Sequence, residues 1–117
     1  MIIVTGGAGF IGSAIVWALN KRGIRDIVLV DGVDHPEKKK NIESLNYVEL
    51  EDKEMFLDQI INHKIPWSVD AIIHLGGCSS TIERDEAFLT STNFNYTKYL
   101  ATYALNKGIR FIYASSA

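Results

Sequence analysis

The 117-residue sequence has one cysteine, two prolines and no apolar run long enough to cross a membrane. The lone cysteine, Cys78, excludes an internal disulfide and a cysteine-based metal cluster. The apolar start of the chain gives way to glycines at residue 6, so we expect neither a signal peptide nor a membrane helix. These shortages are typical of a cytoplasmic protein, and the cytoplasm is the expected location.

Neither sign of charge is in excess. Twelve lysines and arginines stand against 14 acidic residues, for a net charge of -2, which favours neither a nucleic-acid partner nor a membrane surface. With 47% hydrophobic residues the chain can form one core, and no linker, repeat or low-complexity segment divides it. We therefore predict a single domain over residues 1–117.

The first 31 residues have the pattern of a dinucleotide-binding βαβ unit. An apolar strand runs into a glycine-rich turn, a helix follows, and a second apolar strand ends in Asp31. Gly6 permits the sharp turn, Gly9 the close approach of a pyrophosphate, and Gly12 the packing of the helix on the sheet. The helix N-terminus offers amides to phosphates, and the Asp31 carboxylate can accept hydrogen bonds from an adenosine ribose.

The helix of this unit is predicted from the spacing of its apolar residues. We expect Ile11, Ile15, Ala18 and Leu19 to form its buried face and Gly23 to follow its last turn. The alternative is an ordinary strand-turn-helix with incidental glycines. The strands on both sides of the motif favour the dinucleotide site.

The rest of the chain continues to alternate strands and helices. Residues 32–41 are interpreted as an exposed connection, followed by a strand at 46–50 and a helix capped by Asp52. A nearly all-apolar strand at 71–75, a long helix and a strand at 110–114 complete the pattern. We predict an α/β fold, a Rossmann-type doubly wound parallel sheet of about five strands in the order 3-2-1-4-5.

In such a sheet the loops after the strands meet at one edge, where ligands bind. Four loops with ligand-binding chemistry are expected there, at residues 9–11, 31–32, 76–81 and 115–116. His74, at the end of the fourth strand, is interpreted as a packed strand residue rather than a catalytic base.

Three segments resemble a known family. Residues 4–13, VTGGAGFIGS, resemble the opening of the extended short-chain dehydrogenase/reductases, which include nucleotide-sugar epimerases and dehydratases. Residues 74–81, HLGGCSST, and residues 113–117, YASSA, are similar more narrowly to the ADP-L-glycero-D-manno-heptose 6-epimerases. Leu75 and Gly77 depart from that family, which usually has an acidic residue and an alanine there.

The resemblance implies an isomerase that inverts C6 of an ADP-heptose by transient oxidation, in lipopolysaccharide core heptose biosynthesis. Such enzymes use a Tyr-x-x-x-Lys pair and a serine that hydrogen-bonds the substrate, and Ser116 matches the serine. We identify no such pair, since Tyr96-Thr97-Lys98 has the wrong spacing and Tyr99 is followed four residues later by Tyr103. The chain is therefore interpreted as the N-terminal part of a longer enzyme.

Sixteen residues are expected to contact the cofactor. They are Gly6, Gly9, Phe10, Ile11, Gly12, Asp31, Gly32, Lys38, Lys53, Leu75, Gly76, Gly77, Cys78, Ser79, Thr92 and Asn93. Asp31 alone favours NAD, because its charge repels a 2′-phosphate. Lys38 can bind that phosphate as a point charge, as the resemblance implies, so NADP is the expected cofactor and NAD the alternative. No metal is expected.

Each of these assignments has a plainer alternative. Residues 38–40 also fit a solvated charge run, Lys53 a surface residue at a helix start, Asn93 a helix-surface asparagine and Ser116 a strand-end serine. The protein as a whole also fits another nucleotide-sugar epimerase or dehydratase, or a non-catalytic dinucleotide-sensing module.

Partners and behaviour follow from the same interpretation. We expect an ADP-heptose substrate and a homo-oligomeric parent protein, with no nucleic-acid or membrane partner. The isolated fragment is expected to be inactive and to expose residues 111–113 along an unpaired strand, which favours self-association.

Overall fold

The alternation of strands and helices that the sequence predicts is present. A computed structural model describes residues 1–32, 36–75 and 86–114, and describes residues 86–94 by their backbone only. The elements are β1 (Ile2–Thr5), α1 (Phe10–Lys21), β2 (Ile27–Val30), α2 (Pro36–Ile42), β3 (Glu49–Glu51), α3 (Lys53–Ile61), β4 (Ala71–His74), α4 (Glu86–Lys107) and β5 (Arg110–Tyr113).

The five strands pair in parallel in the order β3-β2-β1-β4-β5, which confirms the predicted topology. At the carboxyl edge Thr5 of β1 lies opposite Val30 of β2 and His74 of β4. The chain reverses its direction of winding at β1, between β2 and β4, which makes this edge the topological switch point. Ligands of such sheets bind in the crevice there.

Helices cover both faces of the sheet. On one face α3 and α4 contribute the buried side chains of Phe56 and Leu100, and on the other α1 and α2 contribute Val16 and Ile42. All four residues of β2 are buried, as expected for a parallel strand covered on both faces. Among the residues with described structure, no helix is long and apolar enough to cross a membrane.

The predicted buried face of α1 is partly wrong. Gly12 and Val16 form the buried stripe and Leu19 is half-buried, whereas Ile11 is 64% exposed and Ala18 is exposed as well. The reason is the position of the helix. Gly12 packs against the backbone of the preceding turn, and this contact determines which face of α1 is buried. Ile11 therefore lies exposed in the first turn of α1, at the carboxyl edge of the sheet.

The segment interpreted as an exposed connection contains a helix, so that interpretation is corrected. Helix α2 begins at Pro36, whose fixed φ suits a first helical position, and places Lys39 and Lys40 in its last turn, where cations are favourable. Its final residue, Ile42, is buried against the sheet. One buried residue in seven gives too little apolar periodicity to predict the helix.

Other local predictions are confirmed with shifted ends. The carboxylate of Asp52 accepts from two amides of the first turn of α3, at 3.0 and 3.2 Å, and Gly23 follows α1 with a φ of 82°. The third strand is shorter and later than predicted, and β4 and β5 end one residue earlier. On the edge strand β5, Ile112 and Tyr113 are 51% and 58% exposed, as predicted, and self-association stays a prediction.

Candidate cofactor site

The turn between β1 and α1 has the geometry predicted for Gly6 and Gly12. Gly6 has a φ of 69°, in the left-handed region, and its carbonyl accepts from the amide of Gly9 at 3.0 Å. A Cβ on Gly12 would lie 2.0 Å from the carbonyl oxygen of Gly6. Only glycine therefore lets α1 begin this close to the turn.

Gly7 has a packing role that the sequence analysis missed. A Cβ at this position would lie 2.8 Å from Cδ2 of Leu29 and 3.1 Å from the carbonyl oxygen of Val4. The turn is thus pressed against β2 as well as against its own helix. The extra glycine in the motif was the available signal.

The N-terminus of α1 is open to an anion. Its first three amides, at residues 10–12, have no acceptor among the described residues, and Gly9 supplies no side-chain cap. The first turn contains no acidic residue, and Phe10 and Ile11 are 85% and 64% exposed. Unpaired amides and the helix dipole together favour a phosphate at this point.

Asp31 connects the end of β2 to the glycine turn. Its Oδ2 accepts from the amide of Ala8 at 3.1 Å, and its Oδ1 accepts from the amide of Gly32 and from Nζ of Lys38, both at 2.8 Å. The residue is only 9% exposed. Because a carboxylate has about four acceptor positions, the three donors found in the described part of the chain leave one for a ribose hydroxyl.

Helix α2 forms a wall of the site. Besides pairing with Asp31, Nζ of Lys38 donates to the carbonyl of Gly32 at 3.1 Å, and Nδ2 of Asn41 donates to the carbonyl of Ala8 at 2.9 Å. Asn41 was not predicted, since its partner is a backbone carbonyl 33 residues away. The helix and the turn enclose a cleft of about 410 Å³, lined by Gly9, Phe10, Glu37, Lys38, Lys40 and Asn41.

The end of β4 is tied to β1. The amide of Leu75 donates to the carbonyl and to Oγ1 of Thr5, at 3.1 and 3.0 Å. His74 is 5% exposed, and both of its ring nitrogens lie within hydrogen-bond distance of threonine hydroxyls. Burial lowers the pKa of His74 from 6.5 to about 4. This supports its interpretation as a packed residue rather than a base.

Lys53 is exposed at the start of α3, and its backbone is held by α4. The hydroxyl of Tyr96 donates to the carbonyl of Lys53 at 2.8 Å. Burial, and then the charges of Asp52 and Asp31, raise the pKa of Tyr96. Tyr96 is therefore a structural donor. The side chain of Lys53 makes no ion pair within the described part of the chain.

Several predicted contacts lie outside the described residues. They are Gly76, Gly77, Cys78, Ser79 and Ser116, together with the side chains of Thr92 and Asn93, whose backbone belongs to α4. The described ones among the predicted contacts lie at the carboxyl edge in four segments, namely the glycine turn, the end of β2 with α2, the start of α3, and the end of β4.

A family comparison agrees with this geometry. The sequence model of the NAD dependent epimerase/dehydratase family matches residues 2–117. The chain belongs to this family. Membership in an NAD dependent family supports a nicotinamide dinucleotide as the class of cofactor.

Within this family the chain is similar to curated heptose epimerases. It is 50% identical over all 117 residues to the ADP-L-glycero-D-manno-heptose-6-epimerase of Nitratidesulfovibrio vulgaris strain DP4, and 46% identical to that of Fusobacterium nucleatum. These matches confirm the narrower resemblance. The chain spans 36% and 35% of the length of these two relatives.

Solved epimerase structures have the same fold. A UDP-glucose 4-epimerase from Thermotoga maritima, solved with UDP-glucose, matches 98% of this chain and 37% of its own, with a TM-score of 0.71 and 26% identity. A UDP-glucuronic acid 4-epimerase from Bacillus cereus, solved with UDP-glucuronic acid and NAD, matches 96% of this chain and 55% of its own. Its TM-score is 0.58 and its identity 19%, so it supports the fold alone.

One Tyr-x-x-x-Lys spacing is present after all, in Tyr103 and Lys107, and the statement that the chain offers none is corrected. Tyr103 is 8% exposed, and its ring centroid lies 6.4 Å from that of His63, beyond the C-terminal end of α3. Both residues lie near the end of α4 that leads into the start of β5, opposite the carboxyl edge. Burial raises the pKa of Tyr103, so its place and chemistry do not suit the catalytic pair.

Proposed function

We propose that the chain forms the cofactor-binding, N-terminal part of an ADP-L-glycero-D-manno-heptose 6-epimerase. The observation that carries this proposal is the 50% identity over all 117 residues to the relative of that name. The proposed role belongs to lipopolysaccharide core heptose biosynthesis in the cytoplasm, in a longer, homo-oligomeric protein.

The described residues fit a nicotinamide dinucleotide. The amides of residues 10–12 suit its pyrophosphate, and the glycine at position 12 lets α1 begin close enough to the turn to present those amides there. The remaining acceptor position of Asp31 suits a ribose hydroxyl. These groups would contact the pyrophosphate and the adenosine half of the cofactor, and they support a nucleotide-holding role for this part of the protein.

We propose NADP as the preferred form of the cofactor. Asp31 by itself would repel a 2′-phosphate, but Nζ of Lys38 lies 2.8 Å from its Oδ1 and offsets that charge. Lys38 is held by α2 at the cleft beside the glycine turn, where it can donate to a phosphate oxygen as well.

The reaction assigns different tasks to different parts of the protein. When bound, the nicotinamide supplies reversible hydride transfer at C6 of the heptose, so that the overall reaction has no net redox change. The chain's own residues bind and orient the dinucleotide, and Ser116 is proposed to hydrogen-bond the sugar oxygen. A tyrosine that exchanges the hydroxyl proton, and a lysine that lowers the pKa of that tyrosine, are proposed to come from outside these 117 residues.

The test is an epimerisation assay on the full-length gene product that contains this chain. Incubation with ADP-D-glycero-D-manno-heptose and NADP should yield the L-glycero epimer by proton NMR, with no lasting change of absorbance at the wavelength of reduced nicotinamide. UDP-glucose is the comparison substrate. Turnover of UDP-glucose alone would assign a 4-epimerase, and nucleotide binding without turnover of either sugar would assign a sensing module.

A further inference from the structure

A buried polar cluster lies directly behind the cofactor site. The Nδ1 atom of His74 shares a hydrogen bond with Oγ1 of Thr5 at 2.6 Å, and its Nε2 shares one with Oγ1 of Thr97 at 2.9 Å. The three residues come from β4, β1 and α4. One imidazole thus joins two adjacent strands of the sheet, β1 and β4, to the helix α4.

The chemistry of this cluster selects one arrangement. A neutral imidazole has one donor and one acceptor nitrogen, and a hydroxyl can serve either, so two hydroxyls satisfy the ring completely. The ring of Tyr96 lies parallel to the imidazole, with centroids 5.6 Å apart and an interplanar angle of 6°, and that of Phe111 lies 6.1 Å away. Flat neighbours and two fixed partners leave the imidazole little freedom to turn.

The partners of His74 lead to separate segments of the proposed cofactor site. Thr5 directly precedes Gly6, and its Oγ1 also accepts from the amide of Leu75 at 3.0 Å. Tyr96 and Thr97 lie one helical turn after residues 92 and 93 of α4. The cluster therefore fixes the glycine turn, the end of β4 and α4 relative to one another.

A second arm reaches α3. The hydroxyl of Tyr96 holds the carbonyl of Lys53, the first residue of that helix, while the ring of Tyr96 stacks on His74. Neighbouring residues of α4 thus fix both the imidazole and the start of α3. None of the groups in this network has to touch the cofactor to set the position of the segments that do.

From this geometry we propose that His74 is a positioning residue for the cofactor, and that its bond to Thr97 holds α4 in register with the two strand ends. The inference rests on the proposed nucleotide-binding function. The proposed role is neither proton transfer nor general packing. It requires the hydroxyl of Thr97 as the partner of Nε2, and it does not require the methyl group of that side chain.

Thr97→Val and Thr97→Ser, made in the full-length protein, test this proposal. Valine keeps the shape of threonine and removes the partner of Nε2, whereas serine keeps the hydroxyl. We expect Thr97→Val to weaken NADP binding about fivefold to tenfold by calorimetric titration, and Thr97→Ser to bind within about twofold of the unmodified protein. Ile60→Val, a core change on α3, controls for lost stability and should not alter the affinity.

A second variant separates the imidazole from the helix. The amide of His74→Asn can replace the Nδ1 contact to Thr5 but is too short to reach Thr97. It should lose as much affinity as Thr97→Val, and the double variant should lose no more than either single one, because both remove the same bond. Additive losses, normal binding by Thr97→Val, or failure of serine to restore binding would overturn the proposal. Absence of NADP and NAD binding by the unmodified protein would instead contradict the proposed function itself.

Discussion

Replacing Gly12 by alanine tests whether the close seat of α1 on the glycine turn creates the cofactor site. The added Cβ would lie 2.0 Å from the oxygen and 2.8 Å from the carbonyl carbon of Gly6, and 2.9 Å from Cα of Gly7. Ordinary contacts begin near 3.4 Å, so the helix and the turn must separate by about 1.4 Å. All three atoms belong to the backbone, so no side chain can move aside.

The cost should appear in stability and in binding together. Overpacking costs about 1–3 kcal/mol when side chains can adjust, so a backbone clash should lower the free energy of unfolding by about 3 kcal/mol or more. A shift of about 1 Å at a preorganised site can lower a reaction rate roughly a hundredfold. Because NADP binding depends on the same positioning, we expect a loss of that order in NADP affinity. Urea unfolding and calorimetric titration of the full-length protein measure the two quantities.

Gly23→Ala is the matched control for this experiment. Gly23 has a φ of 82°, and a Cβ added there would meet no atom within 4 Å, so alanine costs about 1–2 kcal/mol of backbone strain and no clash. Its place beyond the far end of α1 should leave nucleotide affinity unchanged. The reasoning is refuted if Gly12→Ala unfolds and binds like the unmodified protein, or if Gly23→Ala loses as much affinity.

Three further predictions concern charges and protons. Lys38→Met should weaken NADP binding about tenfold and leave NAD nearly unchanged, with Lys39→Met as the control, and equal effects on both nucleotides in titrations would contradict the role of Lys38. The fall of the pKa of His74 from 6.5 to about 4 corresponds to about 3 kcal/mol in the free energy of unfolding. This stability is present above pH 6.5 and is lost as the pH falls towards 4, because the unfolded chain takes up the proton at a higher pH than the folded one. Urea unfolding between about pH 4 and 7 should show this slope, and the same slope in His74→Asn would count against it. Asp31→Asn replaces an acceptor by a donor facing Lys38 or a backbone amide, so it should lower the free energy of unfolding by about 1–3 kcal/mol, and an unchanged urea midpoint would argue against those contacts.

The parts of the structure that were predictable from sequence depend on local patterns. The strand order followed from the alternation of apolar strands with helices, since parallel strands need crossover connections. The turn geometry of Gly6 and the seat of Gly12 followed from their spacing after a strand. In these cases neighbours in sequence supply most of the physical constraint.

The parts that were missed depend on distant partners. Helix α2 is only seven residues long and has no repeating pattern of apolar residues. Polar contacts hold it instead, from Lys38 to Asp31 and from Asn41 to the carbonyl of Ala8. Short helices owe their stability to tertiary contacts rather than to propensity, and such contacts leave no regular pattern in sequence. For the same reason, the spacing of Tyr103 and Lys107 in α4 does not reveal at which end of the sheet the two residues lie.

The contacts of Asp31 change what that residue implies about cofactor choice. A lone carboxylate about 4 Å from a 2′-phosphate would be repelled by about 1 kcal/mol in water and about 4 kcal/mol at the effective dielectric of a protein surface. Here the ammonium of Lys38 lies 2.8 Å from Oδ1, so the phosphate meets a pair whose charges cancel rather than an isolated acid. The backbone amides of Ala8 and Gly32 meanwhile keep the carboxylate in place if Lys38 turns towards the phosphate. Preference between NADP and NAD is therefore expected to be a property of the pair, and to change most when its lysine is removed.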